Sequence, residues 1–300
     1  MSKISGKDLE FWFDGAEVPV ISVNHENSVD QQESTDTATP GTGKDFEALW
    51  ASGKMKVEAE LYEPLGAELS SGDLVAGTRY IVTAGTIAET QGSFTVGMIF
   101  ESDGSGNPTV DNKVKPLGAR INGKSMAFTF NSVEAPVTDI DYNSKFDELD
   151  STDSSSVTAE TEVSRADRET KVTAIVRSES ADLLTTDPVK QAAILAFSDN
   201  VSVAGQLLPI SKSITDNTKE MAKIDYTFKW IGLPTETALG LASGEEKAVK
   251  FILKRGTSTN KEYTANAIIT AKNVKVNIKG LATITYDLSI NGAITEAVAN

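Results

Sequence analysis

The chain has no cysteine and a single histidine, His25, in 300 residues. Without thiols no disulfide can staple the fold, and no thiolate is on hand as a nucleophile or zinc ligand. One histidine cannot form a metal-binding pair. The chain also has no nucleophile-elbow sequence, no phosphate-cradling glycine loop ahead of a helix and no evident Ser-His-Asp arrangement. No apolar run approaches the roughly 20 residues of a membrane-spanning helix, and the opening MSKISGKDLEFWFDG lacks the apolar centre of a secretion signal. Positive charge is in deficit. With 28 Lys and Arg against 43 Asp and Glu, the net charge is -15, which argues against an ordinary grip on nucleic-acid phosphates. Hydrophobic residues make up 39% and charged residues 24%, a globular balance. The length predicts two domains rather than one core, and the product is expected to be made soluble in a cytoplasm.

What the chain does have is repetition. Ile4 to Asp36 and Ile121 to Asp153 superpose without a gap, and 12 of 33 positions are identical, among them Gly6/Gly123, Phe11/Phe128, Phe13/Phe130, Pro19/Pro136 and Asp30/Asp147; about two would match by chance. After a two-residue change of register the likeness resumes at Lys56-Val57 and Lys171-Val172. This reads as an internal duplication, which suits a protein that stacks, closes a ring or extends an array.

The hydrophobic period is mostly two, so the expected class is mainly β. Leu9, Phe11 and Phe13 alternate with polar neighbours, and Asp14-Gly15 signals a hairpin that returns through Val18 to Val23. Lys54 to Leu61 alternates strictly, with Met55, Val57, Ala59 and Leu61 on one face and Lys54, Lys56, Glu58 and Glu60 on the other. Further strands are expected at Thr78 to Thr83, Phe94 to Phe100, Val172 to Val176, Ile224 to Trp230, Val249 to Leu253, Thr264 to Ala271, Val274 to Ile278 and Ala282 to Ile290. A short flanking helix is expected from Asp187-Pro188 through Ala196, with Asp as N-cap and Pro in the first turn; Asp45 to Trp50 and Asp216 to Ala222 are candidates for a helical turn or two. The expected architecture is a β-sandwich or part-barrel, internally duplicated. Its parts are a first copy over 1–62, an inserted β hairpin module over 63–118, punctuated by Gly and Ser, and a second copy with a closing strand pair over 119–300. The polar segments Ser34 to Lys44 and Ser151 to Thr158 occupy equivalent places and are expected to be mobile, the first ordering only on assembly.

The run Ile4 to Gly15, the following strand, the Ser/Thr/Asp-rich loop ending in Lys44 and the alternating strand after Gly53-Lys54 together resemble the opening of the major tail tube proteins of long-tailed bacteriophages. Tyr263 to Thr270, a polar break, and Ala282 to Thr295 are similar to that family's closing strand pair. The resemblance covers roughly the first 60 and last 50 residues plus the second copy of the opening. It implies a structural β-sandwich subunit of the virion tail, made in the host cytoplasm, whose strands join neighbours into rings stacked as a hollow conduit for DNA. It further implies self-association in rings of six, or of three with pseudo-sixfold symmetry, contact with other tail or neck proteins, DNA passing without specific binding, and no catalytic residue, cofactor or metal. The chain departs from the family in that copy one has no closing strand pair within its own 117 residues, unless the inserted hairpin has replaced it.

Several residues carry other readings. Asp139 to Asp150 places oxygen ligands with the spacing of a calcium loop, but Ser144 stands where the turn glycine belongs, Asp150 where the longer glutamate belongs, and the flanks read as strand. His25 falls opposite Tyr142 of the second copy, so the duplicate unit does without it. Trp12, Trp50 and Trp230 would suit a sugar platform or, more commonly, packing. Glu58, Glu60, Asp225 and Asp287 would either line a like-charged bore that does not hold DNA or form a solvated outer face. The functional alternatives to a tail tube are a tail-surface or adhesin-type module that recognises carbohydrate or a host receptor through Leu65 to Gly118, and a hydrolase, for which acids are plentiful but no constellation stands out.

Overall fold

The computed structural model describes residues 9–33, 46–63, 66–90, 92–95, 99–152, 160–175, 182–184, 188–217, 220–241, 243–253 and 260–299. Both long polar segments expected to be mobile fall wholly or largely outside them. The strands are β1 (Leu9–Phe13), β2 (Ala16–Val18), β3 (Val20–Glu33), β4 (Phe46–Glu60), β5 (Arg79–Ala84), β6 (Thr86–Glu89), β7 (Gly92–Thr95), β8 (Ile99–Glu101), β9 (Lys113–Pro116), β10 (Ala127–Phe130), β11 (Val133–Ala135), β12 (Val137–Asp150), β13 (Thr161–Ile175), β14 (Gln191–Ala196), β15 (Ser202–Asn217), β16 (Glu220–Thr237), β17 (Glu246–Leu253), β18 (Asn260–Asn277) and β19 (Thr283–Ala299). The fold is mainly β, with large antiparallel sheets.

The helix expectations are overturned. Gln191–Ala196 is the strand β14, with Ala193 and Leu195 buried and Ala192 and Ile194 exposed. It is hydrogen-bonded to β10 on one edge and β15 on the other, and this pairing outweighs the helical propensity of its alanines. Phe46–Trp50 opens β4, Asp216 and Asn217 end β15 and Glu220 to Ala222 begin β16, with Thr218 and Lys219 outside the described residues. A 3-10 turn at Gly123–Ser125 is the helical element among the described residues.

Eight long strands form one continuous antiparallel run in the order β3-β4-β19-β18-β12-β13-β16-β15. Two short three-stranded extensions leave it: β17-β1-β2 from the first half of β18, and β14-β10-β11 from the first half of β15. They fold over one face. The Phe128 and Phe228 ring centroids lie 5.3 Å apart across the two layers, and a single apolar core runs from Phe11, Val57 and Tyr286 at one end to Phe128, Leu195 and Phe228 at the other. Each such aromatic, fully withdrawn from water, contributes on the order of 2 kcal/mol.

The strands fall into two sets of seven with one pairing pattern. β2 and β3 recur as β11 and β12 with the sequence offset of 117 residues, and β4 recurs as β13 with the offset of 115. The hairpin β3–β4 breaks register between Val20/Ser22 and Val29/Gln31; β12–β13 breaks register at the matching Val137/Asp139 and Phe146/Glu148. The first turn matches too, with positive φ at Asp14 and Gly15 and again at Asn131 and Ser132, as a two-residue hairpin of this hand requires. At the other end of the set, β15–β16 breaks register at Ala204/Gln206 and Pro209/Ser211, and β18–β19 does so 60 residues later at Thr264/Asn266 and Ile269/Ala271. The closing strands thus complete the opening ones: β17 pairs with β1 and β19 with β4, while β14, β15 and β16 complete the set begun by β10. In chain order the second set lies between β4 and β17 of the first.

Strands β5 to β9 form two small sheets around their own apolar cluster of Leu74, Tyr80, Val82, Ile87, Phe100 and Val114. The chain enters and leaves this module side by side, through the bridge between Tyr62 and Arg120.

Gly123, identical to Gly6 in the repeat, lies where the second set passes the end of β18, and a Cβ there would sit 1.9 Å from the Asn277 carbonyl oxygen. Both sides of this contact are backbone, so neither can yield cheaply. Gly123→Ala is expected to cost about 2 kcal/mol or more, read as a lowered urea midpoint; an unchanged midpoint would show that the approach is not tight.

Candidate self-assembly site

The eight-strand run ends in two open edges. β3 pairs with β4, and among the described residues no strand pairs with its other side. β15 pairs with β16 along its length but with β14 only through Leu207, leaving the 208–217 edge without a strand partner among the described residues. Long unpaired edges are templates for another strand, and soluble proteins usually blunt or cover them.

Inside the chain the same kind of edge is occupied. β18 is covered by β17 over its first half and by β12 over residues 271–277, in a register from Asp139↔Asn277 to Lys145↔Ala271. On the polar face of this seam Asn273 Nδ2 donates to Asp141 Oδ1 at 2.6 Å, Lys275 Nζ lies 3.3 Å from Asp141 Oδ2, and Asn277 donates to Asp139. On the core face Lys272, 1% exposed, reaches Glu236 and the carbonyls of Leu239 and Leu241, and the Tyr142 hydroxyl donates to the other Glu236 oxygen at 2.5 Å. A buried ammonium is tolerable only when held in this way. Burial pushes the Tyr142 hydroxyl well above the usual phenol range, assisted by the charge of Glu236. Tyr286, whose hydroxyl accepts from the Leu241 amide at 2.9 Å, is also raised by burial.

The other face of the run is polar and holds two shallow concavities of about 750 and 680 Å³. Glu58, Asp225 and Asp287 line them as the alternation predicts, but Lys54, Lys56, Lys171 and Lys275 share the surface. Neighbouring strands set opposite charges across from each other: Lys56↔Asp287, Asp141↔Lys275, Asp141↔Lys171 and Glu169↔Lys229. The face is therefore a mixed ladder of lysines and carboxylates, not the like-charged surface that one of the two sequence readings gave these acids. Glu60 is engaged at the run's margin by Arg120 Nε and the Tyr62 hydroxyl, each at 2.8 Å.

The remaining sequence candidates do not converge on a site. Asp139 to Asp150 is the extended strand β12, so its oxygens spread along two faces rather than wrapping an ion, and the described residues contain no group of three His, Asp or Glu that could hold a metal. Trp230 is core, donating to Thr170 Oγ1 at 2.8 Å, whereas Trp12 lies under Lys250 Nζ at 4.6 Å from its ring centroid; the Trp50 side chain lies outside the described residues. His25 packs 5.9 Å from the Phe251 ring, and its Nε2 is buried without a hydrogen-bond partner. No described helix is long and apolar enough to cross a membrane.

Sequence reasoning missed the second half of the repeat. Its signal is present at an offset of 60 residues: Lys212/Lys272, Ile224/Ile284, Tyr226/Tyr286, Gly232/Gly292, Thr235/Thr295 and Glu236/Glu296. It is hidden because the counterpart of the opening strands lies at a different offset. No family model matches the chain, and no curated protein matches it in sequence.

Lys272→Met would strand the Glu236 carboxylate and is expected to cost about 3–5 kcal/mol; adding Glu236→Leu should recover part of that loss, and a double variant no more stable than the single in urea would contradict the pairing. The raised phenols set an alkaline limit. Their contribution is fully present below pH about 10, where unfolded tyrosine ionises, and is lost as pH rises above it. Phenolate absorbance should therefore lag behind that of free tyrosine until the chain unfolds; early titration of all tyrosines would refute this.

Proposed function

We propose that this protein is a structural subunit that polymerises through its strand edges into stacked rings, acting in a virion as a phage tail tube that conducts DNA. The observation that carries the proposal is the eight-strand run whose end strands, β3 and the 208–217 part of β15, have no outer strand partner among the described residues. A chain with complementary open edges at opposite ends adds head to tail, and head-to-tail contacts close into rings or run on as filaments. The two seven-stranded sets are read as one unit duplicated, with the second copy lodged between β4 and β17 of the first. Three chains would then present six units around one axis. With strands about 4.8 Å apart and tilted about 40°, three runs of eight close a ring roughly 48 Å across at the backbone. The polar face, facing inward, would offer DNA lysines already compensated by carboxylates, so that few phosphate contacts with counterion release can form.

A binding module remains the second reading, favoured by the separate core of strands β5 to β9, where the chain enters and leaves side by side at Tyr62 and Arg120. Size-exclusion chromatography across a concentration series, with negative-stain microscopy, separates the two. Rings or tubes with a central channel are expected; a monomer at every concentration that nonetheless retains glycan through this module would replace the proposal.

A further inference from the structure

Resting on the self-assembly reading, we infer that β3 of one chain pairs antiparallel with β15 of the next in a defined register, Ser22 opposite Asn217 through Ser28 opposite Ser211, reproducing between chains the seam that β12 and β18 form within one. The register comes from the repeat. β12 corresponds to β3 at an offset of 117 and β18 to β15 at an offset of 60, so the observed pairs Asp139↔Asn277, Asp141↔Lys275 and Lys145↔Ala271 map onto Ser22/Asn217, Asn24/Thr215 and Ser28/Ser211. Both mapped edges are without a strand partner among the described residues, so the pairing requires no strand to be displaced.

Burial marks the same place. Val274 is fully buried beneath the β12–β18 seam, whereas its counterpart Ile214 is 61% exposed on the open part of β15. The register partner of Val274 on the neighbouring strand is Tyr142, itself fully buried. The residue that the repeat places over Ile214 is His25, whose Nε2 is one of four buried side-chain polar atoms without a hydrogen-bond partner among the described residues. The ionic cluster maps as well. Lys272, Glu236 and Tyr142 become Lys212 of one chain meeting Glu296 and His25 of the next. In the isolated chain Lys212 reaches Asp182, and Glu296 meets Lys261, so assembly exchanges exposed pairs for one seam cluster. The contact is heterologous, since β3 and β15 are different surfaces. The occupant of each edge is therefore a second copy of this chain, added in one direction.

Because the chain has no cysteine, single introduced thiols report the register directly. Asn24→Cys and Thr215→Cys replace exposed polar residues, and directly opposed Cβ atoms in such a pair fall within disulfide reach. On mixing and mild oxidation, the two single variants should give disulfide dimers containing one of each, and neither alone should give any. The double variant should give a ladder of covalent oligomers. Asp141→Cys/Lys275→Cys, the equivalent pair inside one chain, is the control and should close intramolecularly. If the parent chain assembles and the control closes but the mixed pair does not cross-link, the register is wrong while the polymer reading stands. Self-cross-linking of Asn24→Cys alone would mean that β3 pairs with β3 and would overturn the head-to-tail contact. A parent chain that stays monomeric at all concentrations removes both the register and the reading beneath it.

Discussion

Backbone hydrogen bonding at the edge of a sheet is the constraint on which this protein depends. Each internal strand of the eight-strand run is paired with a neighbour on both sides over part of its length, and the seam between β12 and β18 joins two sets of strands that would otherwise each end in an open edge. The buried Lys272–Glu236–Tyr142 cluster adds direction to that seam. Backbone pairing alone tolerates slippage, whereas an ammonium that must meet one carboxylate permits a single alignment.

Placing one seven-stranded unit inside another has a geometric consequence. A tandem duplication would leave the two units tethered by one linker and free to separate. Here the chain crosses from the first set to the second after β4 and back again before β17, so the inner set is held at both ends. Leu61 and Ile121 exchange backbone hydrogen bonds with Ala282 and each other at the crossing, and the two cores merge into one. The end strands β3 and β15 are thereby held within one continuous run of strands.

The polar face shows how composition misleads about local charge. The net charge of -15 belongs to the whole chain, yet the concave face alternates lysine with carboxylate across neighbouring strands. A like-charged surface would repel DNA, whereas a mixed one sets carboxylates beside its lysines, Asp141 lying across from both Lys171 and Lys275. They differ in salt dependence, because repulsion between exposed charges is screened over about 10 Å at 0.1 M salt while cross-strand pairs lie well within that distance.

Period-two alternation in Lys54 to Leu61 and Ala282 to Ile290, the Asp14-Gly15 turn and the offset of 117 were all legible in the sequence, because each is a local pattern of residue types. The alanine-rich segment Gln191–Ala196 was not, since its propensity favours helix and only pairing with β10 and β15 makes it a strand. Nor could the sequence alone assign the closing strands to the opening ones: hydrogen bonds between β19 and β4 join residues more than 200 positions apart, and no local signal records such a partnership. The chain by itself determined strand class and repetition, through side-chain periodicity. Tertiary structure decided which strands are neighbours and which edges stay open, because a strand's partner is chosen by the packing of the whole core.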